Sequence, residues 1–103
     1  MSRERSINTK LARPPARGKR WTSFVADHGA GAEVVRSLHE QSNPSHRLRV
    51  EHDAHTLLIH LSNEDGDGWT TISIDRATRR FAVAHERRQA DAARVAYDGL
   101  YGP

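Results

Sequence analysis

Cysteine is absent from the 103 residues, which excludes disulfides, thiolate metal sites and thiol chemistry, and leaves nothing that marks an oxidising compartment. Aromatic residues are scarce, with two each of Trp, Tyr and Phe, and hydrophobic residues reach only 36%. The core has to be small, with a stability on the order of 5 kcal/mol. No apolar run approaches the roughly 20 residues that span a bilayer. The first residues lack the apolar stretch of a secretory signal, Ile7 and Leu11 being scattered among cations, so the expected setting is the cytoplasm. Phosphate loops, nucleophile elbows and dinucleotide fingerprints are also missing. No catalytic centre and no cofactor is therefore expected.

What the chain does have is basic charge, unevenly placed. Residues 1–20 carry Arg3, Arg5, Lys10, Arg13, Arg17, Lys19 and Arg20 against Glu4, a net of +6, whereas the remaining residues carry 9 cations and 12 acids, a net of −3. The overall +3 thus belongs to the N-terminal segment. Pro14 and Pro15 stand in tandem there, and no period of 3.6 or 2 is visible. Residues 1–20 read as a disordered basic arm and 21–103 as a single domain. Of the 16 cationic residues 14 are Arg, a bias typical of GC-rich bacterial coding. Arginine counts alone are therefore weak evidence for guanidinium chemistry.

From residue 21 the pattern becomes that of an α+β domain. Trp21, Phe24 and Val25 have helical spacing over a short turn, and Val35 and Leu38 share one face of a helix over 32–41, stopped by Asn43-Pro44. Four short strands follow over 46–52, 56–61, 68–75 and 80–86, separated by turn signals at Asp53-Ala54, Asn63–Gly68 and Asp75–Arg79. A second helix over 87–100 places Ala93, Ala96, Tyr97 and Leu100 on one face. The expected fold is a four-stranded antiparallel β-meander in the order α-β-β-β-β-α, packed on one face by one or two helices. By the pleat, Leu57, Ile59, Leu61, Ile72, Ile74, Phe81 and Val83 point into the core. The other face, with Arg47, Arg49, Glu51, Leu58, His60, Trp69, Thr71, Ser73, Ala82 and Ala84, is left as the candidate open surface.

Metal and catalytic motifs are incomplete. Asn63, Asp65, Asp67 and Gly68 begin like a calcium loop, but Ile74 stands where the bidentate Glu belongs, and strands flank the segment instead of helices. An acidic hairpin turn explains them. His52, His55 and His60 form the nearest approach to a ligand cluster, yet no residue completes a tetrahedral set, so no metal is expected. Ser23, Asp27 and His28 lie close in sequence without any sign of a catalytic geometry. Gly29-Ala30-Gly31 before a helix reads as a plain loop.

Two functional readings remain. In the first, a non-catalytic accessory protein contacts DNA or RNA: Arg13, Arg17, Lys19 and Arg20 neutralise phosphates, and Arg47 and Arg49 reach bases or phosphates from the sheet. In the second, the open face carrying Leu58, His60 and Trp69, together with strand edges available for pairing, binds a protein partner or a second copy of the chain. The segment RRFAVAHERRQADAARVAYDGLYG, with Phe81 on its strand and Ala92-Ala93-Arg94 followed by Ala96-Tyr97-Asp98 on its helix, resembles the last strand and helix of the ethylene-response-factor DNA-binding domain. The likeness covers about a quarter of the chain. It implies that the face bearing Arg47, Arg49 and Trp69 would enter the major groove.

Overall fold

A computed structural model describes residues 10–12, 19–41, 47–62 and 67–103. The elements run β1 (Lys10–Ala12), α1 (Lys19–His28), α2 (Ala30–Gln41), β2 (Leu48–His52), β3 (Thr56–Ser62), β4 (Trp69–Asp75), β5 (Phe81–Glu86) and α3 (Gln89–Tyr101). The strands form one antiparallel sheet in chain order. The fold is α+β with an antiparallel meander, as the alternating apolar runs and turn signals imply, but the described residues form five strands and three helices where four strands and two helices were expected. The fifth strand lies inside the segment read as a disordered arm. There Lys10 pairs with His52 and Ala12 with Val50. A strand of three residues is too short to show a period. The boundary drawn at residue 20 also falls within a helix, since Lys19 and Arg20 open α1.

Asp side chains hold two of the hairpin turns. Asp53 Oδ1 accepts the backbone N–H groups of His55 (2.7 Å) and Thr56 (2.6 Å), closing β2 onto β3. Asp75 Oδ1 accepts the N–H groups of Ala77 (3.0 Å) and Thr78 (2.9 Å) and the Thr78 hydroxyl (3.0 Å), closing β4 onto β5. Short polar side chains that replace backbone partners are what such turns require.

The first face of the sheet carries the larger apolar side chains. Val50, Leu57, Ile59, Leu61, Ile72 and Ile74 pack against Trp21 of α1 and against Ala32 and Val35 of α2. Gly29 joins the two helices at φ +82 and donates to the Val25 carbonyl at 2.8 Å, a left-handed helix end that suits glycine. Trp21 meets Phe24 edge to face at 5.7 Å and lies 5.2 Å from the His39 ring, so α1 and α2 share one aromatic seam.

The second face is not open, and this corrects the main structural expectation. α3 lies across it: the Ser73 hydroxyl donates to the Ala96 carbonyl at 2.6 Å, and a Cβ added at Gly99 would stand 2.9 Å from Ala82 Cβ. Ala92, Ala93, Ala96 and Gly99 on the helix meet Ser73, Ala82 and Ala84 on the sheet. Both partners of this contact are small, so the helix settles close to the strands. Assigning α3 to the face with the bulkier residues overlooked that fit. The result is three layers, with a helix pair, the sheet and one helix stacked in that order.

The start of α3 is under-capped. Arg88 has the extended N-cap geometry (φ −106, ψ 141) with no side-chain cap bond. Arg88→Ser supplies an acceptor for the orphan N–H groups and should raise stability by about 1 kcal/mol, seen as a higher thermal midpoint by circular dichroism. An unchanged or lower midpoint would show that the helix start is satisfied in another way.

Candidate functional site

Beneath α3, a row of polar side chains crosses the middle of the sheet. Arg49, His60, Thr71 and Ala84 are register partners on successive strands β2 to β5. His60 is fully buried; its Nδ1 lies 2.8 Å from Thr71 Oγ1 and its Nε2 lies 3.1 Å from Glu51 Oε2. Glu51 Oε1 in turn accepts Arg49 at 3.0 Å. An ionised carboxylate can only accept, so Nε2 carries the imidazole proton and Nδ1 accepts the Thr71 hydroxyl. Burial pushes the His60 pKa below its ordinary 6.5, and the bond and charge of Glu51 oppose that shift without cancelling it. Hydroxyl, imidazole and carboxylate thus form a relay-like chain. However, both Thr71 and His60 are 0% exposed, so the hydroxyl lies out of reach of solvent.

A second cluster fixes the other end of α3. The Thr56 and Tyr101 hydroxyls lie 2.6 Å apart, and Tyr101 Oη donates to Asp75 Oδ2 at 2.7 Å. The Tyr101 hydroxyl, followed by the Thr78 backbone N–H, lowers the Asp75 pKa to about 2, while burial and then Asp75 push Tyr101 up to about 12. Both shifts favour the bonded pair of neutral phenol and carboxylate. Among the described residues, every buried side-chain nitrogen and oxygen has a hydrogen-bond partner.

The solvent-facing chemistry lies elsewhere, along β5. Arg79, Arg80, Arg87 and Arg88 are exposed just before and just after this strand. Arg79 adopts φ 63, and Arg76 donates to the Asp53 carbonyl at 3.2 Å. His28 faces the same turn: burial lowers its pKa, Asp27 opposes the shift, and the charges of Arg76 and Arg79 add to it. Among the described residues, Arg36 and Arg49 are the arginines engaged in ion pairs. Arg47, Arg76, Arg79, Arg80, Arg87, Arg88 and Arg94 are exposed and have no carboxylate partner there.

The residues singled out from the sequence are not brought together. Arg13 and Arg17 lie outside the described residues, and Lys19 and Arg20 begin α1. Arg47 is exposed, with its backbone N–H on Ser62 Oγ at 2.7 Å, while Arg49 is half engaged by Glu51. Leu58 (1% exposed) and His60 belong to the interior under α3, and Trp69 is half-buried at the end of β4. The partner-binding face proposed for these three is therefore withdrawn, and with it the groove-entering face implied by the resemblance. Asp67 is exposed, while residues 63–66 of the acidic turn lie outside the described set. Among the described residues, no three His, Asp or Glu side chains converge as a metal site would require, and no helix is long and apolar enough to cross a membrane.

Sequence reasoning allowed for strand edges that pair but did not single out β5. Its signal was the pairing of Arg79-Arg80 and Arg87-Arg88 around an alternating Phe-Ala-Val-Ala-His-Glu strand. No family model, curated protein or solved structure matches the chain.

Proposed function

We propose that the chain is a small non-catalytic cytoplasmic accessory protein that contacts nucleic-acid phosphates. The observation that carries this reading is the set of seven exposed arginines without a carboxylate partner among the described residues, four of them bracketing β5. Free guanidinium groups suit phosphate, which they hold through forked hydrogen bonds. Arg79 adds support, because it occupies a left-handed conformation that glycine would adopt without strain. A side chain held there at a conformational cost fits a need for its charge. Arg13 and Arg17 extend the same chemistry into the N-terminal segment.

The test is a salt titration of full-length protein binding to generic duplex and single-stranded nucleic acid. The N-terminal cations are probed by Arg13→Gln/Arg17→Gln rather than by deletion, because β1 and the start of α1 lie within that region. Binding should fall linearly in log K against log salt, and Arg79→Gln/Arg87→Gln should flatten the slope by about 2. Binding that ignores salt, or an absence of binding at low salt, would overturn the reading.

A second reading is favoured by a separate observation. Phe81, Val83 and Val95 are 39%, 40% and 49% exposed, and all three lie along the unpaired side of β5. The protein-binding or self-associating surface, first sought on the sheet face, is better placed at this edge.

A further inference from the structure

The sheet ends on β5, whose outer side pairs with no strand among the described residues. Its two edges are unequal. β1 has three residues and carries Lys10, whereas β5 has six residues and neither Pro nor Lys. Short, charged edges resist strand addition, and longer apolar ones invite it.

The backbone fixes which groups face outward. Asp75 N–H donates to the Arg80 carbonyl at 2.8 Å, so Arg80, and by antiparallel alternation Ala82, Ala84 and Glu86, direct their amide groups toward β4. Phe81, Val83 and His85 direct theirs to the free edge. Their side chains share the α2 face with Ile72 and Ile74. On the opposite face, Gly99 stands against Ala82, which sets that flank of α3 over β5 and places exposed Val95, one turn earlier, beside the same edge.

From this geometry we infer that β5 pairs antiparallel with β5 of a second copy, about a two-fold axis at Val83, making one continuous sheet of two chains. This develops the self-association reading and does not rest on nucleic-acid binding, although it gives Arg80, one of the seven arginines, a carboxylate partner. The register follows from two constraints. Outward amides must meet outward amides, which restricts pairing to odd residues opposite odd residues. Centring on Val83 satisfies this for the whole strand, with Phe81 opposite the partner's His85 and Val83 opposite the partner's Val83. The same register sets Arg80 opposite the partner's Glu86, twice by symmetry. Shifting the centre to Ala82 or Ala84 keeps odd residues opposite odd ones but breaks that pair and sets one outward amide of the strand, His85 or Phe81, opposite a residue beyond it; the second shift also sets Arg80 against the partner's Arg88. One pair opposes association: Arg79 comes opposite the partner's Arg87, just beyond the strand. The exposed Phe81 and Val83 are covered by the partner's His85 and Val83 on one face.

Sedimentation without nucleic acid, over a range of protein and salt concentrations, should show a monomer–dimer equilibrium. Glu86→Arg should weaken the dimer about tenfold, as should Arg80→Glu, and the double variant should restore it. Since the chain has no cysteine, register can be read by oxidation. Val83→Cys should form a disulfide-linked dimer, because directly opposed residues stand about 5.5 Å apart. His85→Cys should not, because its own copy lies about 13 Å away. Circular dichroism checks that each variant folds. A folded protein that remains monomeric, a charge swap that fails to restore the dimer, or cross-linking at His85→Cys as efficient as at Val83→Cys would each overturn the inference. A dimer that binds no nucleic acid would leave it standing and remove only the proposed function.

Discussion

Gly31→Val is expected to destabilise the fold by about 3 kcal/mol, lowering the thermal midpoint by more than about 10 °C. A Cβ at this position would stand 2.7 Å from Phe81 Cβ, 2.9 Å from Ile74 Cγ1 and 3.0 Å from Phe81 Cγ. Phe81 Cβ sits next to its own backbone and cannot swing away, so relief requires α2 to lift from the sheet. Lifting α2 would expose Ala32 and Val35, both 0% exposed. Replacing glycine in a helix gains up to about 1 kcal/mol of propensity, less for a β-branched residue, which does not offset the clash. Ala30→Val, at the exposed neighbouring position, should change stability by less than about 0.5 kcal/mol. Urea denaturation of both variants is the measurement, and equal effects at the two sites would show that α2 is not held this close.

His60→Leu should cost about 3 kcal/mol, because it leaves the buried Thr71 hydroxyl without its partner and removes the Glu51 bond to the imidazole. Adding Thr71→Val should recover part of that loss, since replacing both partners by apolar groups removes the orphaned hydroxyl. The pH signature separates this effect from simple misfit. The His60 pKa is lowered in the folded state, so its contribution is complete above the ordinary 6.5 and is lost as pH falls through the depressed value. Unfolding free energies should therefore drop as pH falls below about 6.5, and both His60 variants should show a shallower drop. The remaining slope belongs to His28, whose pKa is lowered too, and, below the ordinary carboxylate range, to Asp75. An acid slope identical in wild type and His60→Leu would show that His60 does not carry it.

Much of the sheet was legible because period-2 runs and Asp-bearing turns act locally. Thr56–Ser62, Trp69–Asp75 and Phe81–Glu86 depart from expectation by no more than a residue at either end. The first helix was harder, because Lys19, Arg20 and Thr22 interrupt the apolar pattern of Trp21, Phe24 and Val25. Three-dimensional placement was hardest. Leu58 and His60 alternate with core residues and so read as outward, and that much is correct. Their cover, however, comes from Ala92, Ala93 and Ala96, some thirty residues later in the chain, and methyl groups advertise little about what they will touch. The candidate surface moved for the same reason: once α3 occupies the second face, the exposed large apolar residues of the longer strands are Phe81 and Val83 of β5, with Leu11 exposed on β1 and Val95 and Tyr101 on α3.

Chain order gives the polar row a further consequence. All five strands precede α3, so a growing polypeptide can pair its sheet before the helix that covers the second face has been made. In that interval the face presents Thr56, Glu51, His60, Thr71, Ser73, Ala82 and Ala84, with Leu58 and, at the end of β4, Trp69 as its large apolar side chains. Hydroxyls, an imidazole and methyls meet water at small cost, whereas a face of Leu and Ile would invite neighbouring nascent chains to associate. The helix that arrives last then takes up the Ser73 hydroxyl at Ala96 and the Thr56 hydroxyl at Tyr101, so the side chains that keep the unfinished sheet soluble are the ones that receive its final layer.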